Sequence, residues 1–264
     1  MSDEQNPFAP PQADLQKPSE GAMSTGERSL DDAMAGNWSI TPSEIIKQGW
    51  EAKDGVKLTF LIAFFLIGLA SGVSGGLNAV LGGDDAGFLK GLALSIGSGL
   101  VVLPLTAPLQ AGLWRMMIRR AAGQTPEVSD LFAHFKNIVP ICIGALIVLV
   151  ATYVGFALLV LPGIYLSIAA SLTTPLIAER GLEPLEAFQT SIKALNNHFF
   201  DVFVLYLLLG VVGIAGFLAF GIGLIWAAPA AAIASGYFYL TVFGWEDKVT
   251  DSLRQRLDPT SGPS

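Results

Sequence analysis

The chain has 264 residues, of which 52% are hydrophobic and 14% charged, with a formal net charge of −7. About 25% charged is usual for a soluble domain, so helices that each turn a polar face to water are excluded. The acidic balance and the lack of a basic stripe count against nucleic acid, which is held by clustered Lys and Arg. The single cysteine, Cys142, excludes an intrachain disulfide or a cysteine metal cage.

Residues 1–40 show no helical apolar period and are rich in Pro, Ser, Gly and acidic groups, which predicts a disordered cytoplasmic leader. It contains Asn6-Pro7-Phe8-Ala9-Pro10-Pro11, a short proline-rich stretch. There Asn6, Pro7, Phe8, Pro10 and Pro11 are candidates for docking into an aromatic groove of a protein partner. The first strongly apolar run begins only near Leu58, so a cleavable signal peptide is not expected.

Four intervals contain no Asp, Glu, Lys or Arg: between Lys57 and Asp84, Lys90 and Arg115, Lys136 and Glu179, and Asp201 and Glu246. A membrane core of about 30 Å takes about 20 helical residues, so the first two intervals hold one span each and the last two hold two each. Leu161-Pro162-Gly163 divides the third interval, and Phe220-Gly221-Ile222-Gly223 the fourth. The expected fold is therefore all-α: a polytopic membrane bundle with spans near 58–80, 90–114, 138–160, 163–178, 202–220 and 223–244. Its transmembrane domain covers 41–245, and 246–264 form a cytoplasmic tail with a short amphipathic helix on Val249, Leu253 and Leu257.

With both termini in the cytoplasm, all but Lys90 of the fifteen Lys and Arg residues lie inside, as basic residues in short loops prefer. Trp114 and Trp245 then flank inner ends of spans and Trp226 an outer end, as an aromatic belt requires. The expected location is a bacterial inner membrane.

The chain also repeats one design three times. A Pro-and-acid opening (Thr41-Pro42-Ser43-Glu44, Thr125-Pro126-Glu127, Glu183-Pro184-Leu185-Glu186) leads into a short amphipathic segment, a span, a tight turn, and a second span containing proline. In 185–199 the apolar stripe is Leu185, Phe188, Ile192, Leu195 and Phe199; in 128–135 it is Val128, Leu131, Phe132 and Phe135. Such segments lie in the headgroup plane or cover the cytoplasmic ends of the spans, short amphipathic helices in either case.

Gly68, Gly72 and Gly76 form consecutive small-residue steps in the first span, a helix-packing face used within one chain or in a homo-oligomer. Arg115, Arg119, Arg120 and Lys136 border the spans, where they orient the protein or hold an anionic lipid headgroup. His134 and His198 are the only histidines, and His198 with Asp201 forms an i, i+3 pair able to polarise a nucleophile if a third partner were present. Gln110 is the most polar residue at depth. No nucleotide loop, zinc signature or nucleophile elbow occurs, so neither catalysis nor a metal or cofactor is expected.

Leu161-Pro162-Gly163-Ile164-Tyr165-Leu166, then Pro175-Leu176-Ile177-Ala178-Glu179 and Gly181-Leu182-Glu183-Pro184-Leu185-Glu186-Ala187-Phe188, resemble a known pattern. It is that of bacterial multi-pass proteins related to the membrane domain fused to some glycerophosphodiester phosphodiesterases. The resemblance covers about residues 125–245 and implies architecture only, since no counterpart of the fused enzyme domain is present. The expected function is non-enzymatic: organising membrane lipids or a protein partner at the cytoplasmic face. The alternative is a transporter or channel for a small or lipid-like molecule, motivated by the span prolines.

Overall fold

The computed structural model describes residues 29–82, 87–219 and 221–244. Asn6, Pro7, Phe8, Pro10 and Pro11, like the tail from 246, lie outside the described residues. In chain order the helices are α1 (Leu30–Met34), α2 (Pro42–Ala52), α3 (Lys57–Gly82), α4 (Phe88–Ala121), α5 (Ile138–Leu158), α6 (Val160–Ala169), α7 (Thr173–Pro175), α8 (Pro184–Asn196), α9 (Phe199–Leu218) and α10 (Leu224–Phe243). Two 3-10 turns, Val128–Phe132 and Phe135–Asn137, precede α5, and a π turn, Leu176–Arg180, continues α7.

The chain is an all-α bundle with six segments long and apolar enough to cross a membrane: Lys57–Leu81, Ala93–Ala121, Val128–Leu158, Val160–Arg180, Phe199–Leu218 and Leu224–Phe243. It is a multi-pass membrane protein. Leu58, Phe65, Val101, Val139, Leu207 and Phe217 are all exposed on these helices, a surface that water would not tolerate but hydrocarbon does.

The spans pair as three hairpins, α3 with α4, α5 with the α6–α7 segment, and α9 with α10. Each preceding short segment packs against the second member of another hairpin. The 3-10 turn Val128–Phe132 lies on α4, α8 lies on α5 and the α6–α7 segment, and α2 lies on α10, which closes the three repeats into a ring. The α2 contact runs antiparallel. Trp38 meets Phe238 edge-on, Gly49 faces Ala230 and Ala234, and Lys57 Nζ stands 6.0 Å from the Trp226 ring. A Cβ on Gly49 would run into the Ala230 carbonyl and the Ala234 backbone, so only glycine permits this approach.

Several expectations change. Residues 29–40 are not disordered: α1 forms, Ser29 accepts a hydrogen bond from Asp32 N, and Ala33 and Trp38 are buried. Trp226 lies near Lys57, whose Nζ stands 6.0 Å from its ring centroid. The turn between the third and fourth spans falls at Leu159, in extended backbone, with Pro162 inside the first turn of α6 where its missing donor costs nothing. The turn before α10 lies where expected, with Gly221 at φ +76.

The amphipathic segments also differ. The 128–135 stretch is 3-10 and not α-helical; it buries Leu131 but leaves Phe132 half exposed. Helix α8 buries Ala187, Thr190, Ser191, Ala194 and Leu195, while Leu185 of the expected stripe is 57% exposed. In lipid an apolar side chain gains little by turning inward, and small residues that let backbones approach gain more, so the small face packs.

Gly68, Gly72 and Gly76 likewise make no packing face within the chain, because a Cβ at any of them would meet nothing within 4 Å. Their helix touches α4 through other residues, Ser74 Oγ lying 2.8 Å from Ser98 Oγ. Substituting Gly49→Leu should therefore cost about 1–3 kcal/mol by overpacking, read as a lower melting temperature in detergent. Gly72→Ala should leave it unchanged or raise it, since alanine is the better helix former by about 1 kcal/mol; equal losses at both positions would contradict the packing described.

Candidate functional site

The fourth span is broken. Pro175 has no donor for the Ser171 carbonyl and its ring crowds that position, so α6 stops at Ala169 and the chain turns through 170–172. Ser191 of α8 repairs the gap: its hydroxyl donates to the Ala169 carbonyl at 2.7 Å and accepts from the Leu172 N–H at 3.2 Å. Ser191 is fully buried, and each bond is worth about 1 kcal/mol net. Beyond the break the π turn shifts register and presents Glu179, an irregularity that often accompanies functional positions.

Glu179 meets residues from two other elements. Its Oε1 lies 3.1 Å from His134 Nε2, and its Oε2 lies 3.4 Å from Arg115 Nη1 on α4. Arg115 Nε is 3.6 Å from Asp130 Oδ1, which also takes a short hydrogen bond from Arg119 Nη1 one turn further along α4. Asp130 is held by a capping box, its Oδ2 accepting from Glu127 N at 2.9 Å. Thus α4, the 128–137 segment and the end of the fourth span are tied by one lattice. Asp130 and His134 are buried, and Arg115 and Arg119 are 38% and 27% exposed.

Two guanidinium and two carboxylate groups balance one another in the lattice. The headgroup set proposed from sequence is thereby divided. Arg115 is shared between Asp130 and Glu179, Arg119 between Asp130 and the Gln124 side chain, and Arg120 donates to the carbonyls of Ala52 and Asp54 at 2.7 and 3.0 Å. Lys136 is exposed and makes no ion pair among the described residues. Sequence reasoning missed Asp130 and Glu179. Glu179 carried a signal, since it closes the charge-free stretch after Lys136, where an unpaired charge is costly; Asp130, between Glu127 and Lys136, carried none.

His198 has a structural task. Its Nε2 donates to the Gly36 carbonyl at 3.0 Å, its Nδ1 is 3.7 Å from Asp201 Oδ2, and its ring packs on Trp38 at 4.6 Å between centroids. Asn197 Nδ2 donates to the Met34 carbonyl at 2.8 Å beside it. The pair therefore clamps the α1 segment onto the α8–α9 joint. Neither histidine is hydrogen-bonded to a hydroxyl or thiol, and no cluster of three His, Cys, Asp or Glu able to hold a metal occurs, among the described residues. Cys142 is half-buried, its Sγ 3.9 Å from the Leu103 carbonyl. Gln110 faces a cleft between α4 and α5.

Set against protein-family models, curated proteins and solved structures, the chain finds no match in any of the three.

Replacing Asp130→Ala leaves two guanidinium groups with half their partners. The expected loss is about 2 kcal/mol, below the 3–5 of a fully buried pair because both arginines reach solvent. Lys136→Ala should change thermal stability little, and a comparable drop there would refute the division. Separately, His198→Ala should speed protease cleavage within 29–41 while leaving the bundle's helical content intact; unchanged cleavage would show that the clamp is not needed.

Proposed function

We propose that the protein is a non-enzymatic component of a bacterial inner membrane, with its termini in the cytoplasm, that organises lipids or a protein partner at its cytoplasmic face. The observation carrying this reading is the exposed edge beside the charge-balanced lattice: Phe132 is half exposed, ring-paired with Phe135 at 5.8 Å, and next to exposed Lys136. An aromatic pair with one unneutralised ammonium suits the interfacial layer, where rings sit at headgroup level and a basic residue attracts anionic lipid. The lattice behind it holds that edge on a fixed scaffold.

Support for a non-conducting role comes from the interior. Among the described residues the core is built of apolar clusters that include α3, α4, α8, α9 and α10; of its buried hydroxyls, those of Ser98, Thr106 and Ser191 bond to neighbouring backbone, and that of Thr173 has no hydrogen-bond partner. An ion-coupled carrier places ionisable groups at depth despite a cost of about 2.5–3.5 kcal/mol each. The resemblance to the membrane domain of glycerophosphodiester phosphodiesterases fits this reading as a likeness of membrane architecture.

Nanodiscs with mixed zwitterionic and anionic lipid test it. Native mass spectrometry should show anionic lipid enriched on the protein, and Lys136→Glu should reduce the enrichment at least fivefold, the equivalent of about 1 kcal/mol per basic residue. Equal retention of both lipid classes, with no protein partner recovered on the same particles, would defeat the proposal.

A further inference from the structure

Between α4, α5 and α7 lies a cleft of about 470 Å³ lined by Gln110, Val148, Thr152, Tyr153, Phe156 and Thr174, together with two further apolar residues of α5. That volume falls within the range of about 300–1,000 Å³ typical of small-molecule sites. Its lining holds four hydrogen-bonding side chains and no charge. Gln110 is exposed and has no hydrogen-bond partner among the described residues, although it belongs to the candidate membrane span Ala93–Ala121. An amide facing hydrocarbon without a partner costs free energy, which an occupant with a matching polar group would recover.

The position of that amide selects the occupant. Gln110 precedes Arg115 by five positions on the same helix, about 7.5 Å along the axis at about 1.5 Å per residue. A membrane's interfacial layer adds about 5–7 Å to each side of the hydrocarbon, so a group that far inward of the basic end meets the ester level of a lipid. Gln110 and Thr174 line the cleft together with Val148, Thr152 and Phe156 of α5, and Val150 and Val154 beside it are exposed.

We infer that this cleft is a lateral binding site for one acyl chain of a glycerolipid, whose ester carbonyl accepts a hydrogen bond from the Gln110 amide while its headgroup stays outside. Gln110 supplies the donor, and Thr174 offers a second hydroxyl at the same end. The chain lies along Val148, Thr152 and Phe156. A free fatty acid fits poorly, because its carboxylate would enter a lining that offers no positive charge. The inference rests on the membrane embedding of the proposed function but not on docking at the cytoplasmic edge.

The test uses full-length protein in nanodiscs containing one of three probes carrying the same diazirine-labelled chain: diacylglycerol, phosphatidylglycerol or free fatty acid. Both glycerolipids should label residues 145–156 preferentially, the fatty acid should not, and Gln110→Leu should lower that labelling about fivefold. Because Gln110 is exposed and makes no hydrogen bond among the described residues, this variant breaks none; Val148→Trp, which fills the cleft, should abolish the labelling. Labelling spread evenly over exposed residues of α3, α5 and α9, meaning annular lipid only, would overturn the inference, as would labelling unchanged in Gln110→Leu. Preferential labelling by the fatty acid alone would overturn the assignment of the ester. Flotation with liposomes separates the two failures: protein that does not float loses both proposals, whereas floating protein with even labelling loses only the cleft.

Discussion

Hydrocarbon removes the usual reason for a helix to bury its apolar side, since lipid tails solvate leucine as well as another leucine does. Packing must then come from close backbone approach and from polar groups that have nowhere else to bond. The ring of contacts follows from this. Gly49 lets α2 lie against the Ala230 and Ala234 backbone of α10, and Gly112 does the same for the Leu131 carbonyl on α4. At the third junction Ser191 reaches into the broken fourth span and takes up the Ala169 carbonyl and the Leu172 amide. In each repeat a short segment is thus secured to a neighbouring hairpin by a small residue or a buried hydroxyl.

Charge obeys the same economy. Asp130 and Glu179 are buried or nearly so, and the low local dielectric makes an isolated carboxylate there very costly. Arg115 and Arg119 supply the compensation, and the arrangement joins three stretches of chain that are far apart in sequence. Arg120 is instead spent on the carbonyls that end α2, fixing where the first span begins. The basic residues at the end of α4 therefore stitch one end of the bundle together, and Lys136 faces outward.

The interior offers no charged path among the described residues, while the α4–α5 cleft exposes an amide, two threonine hydroxyls and a tyrosine to the side. The broken fourth span, which contributes Thr174 to the cleft and Glu179 to the ion lattice, lies between the two.

The gross plan was legible in the sequence because the length of an uncharged run measures directly against membrane thickness. Six spans, their pairing at Gly221 and near Pro162, and the all-α class follow from that ruler. The repeated openings at Pro42, Pro126 and Pro184 also mark the starts of the three short segments that the ring joins. What periodicity could not decide was which face of a short helix turns inward, because apolar moment predicts burial only where water is the competitor. Hence Leu185 faces out while Ala187, Thr190 and Ser191 pack, and the glycine steps of α3 remain open. Nor could spacing along the chain bring Asp130 and Glu179 to Arg115, or assign His198 to the Gly36 carbonyl. Those partners are separated by up to 162 positions and meet only when the hairpins close on one another, so tertiary structure alone determined them.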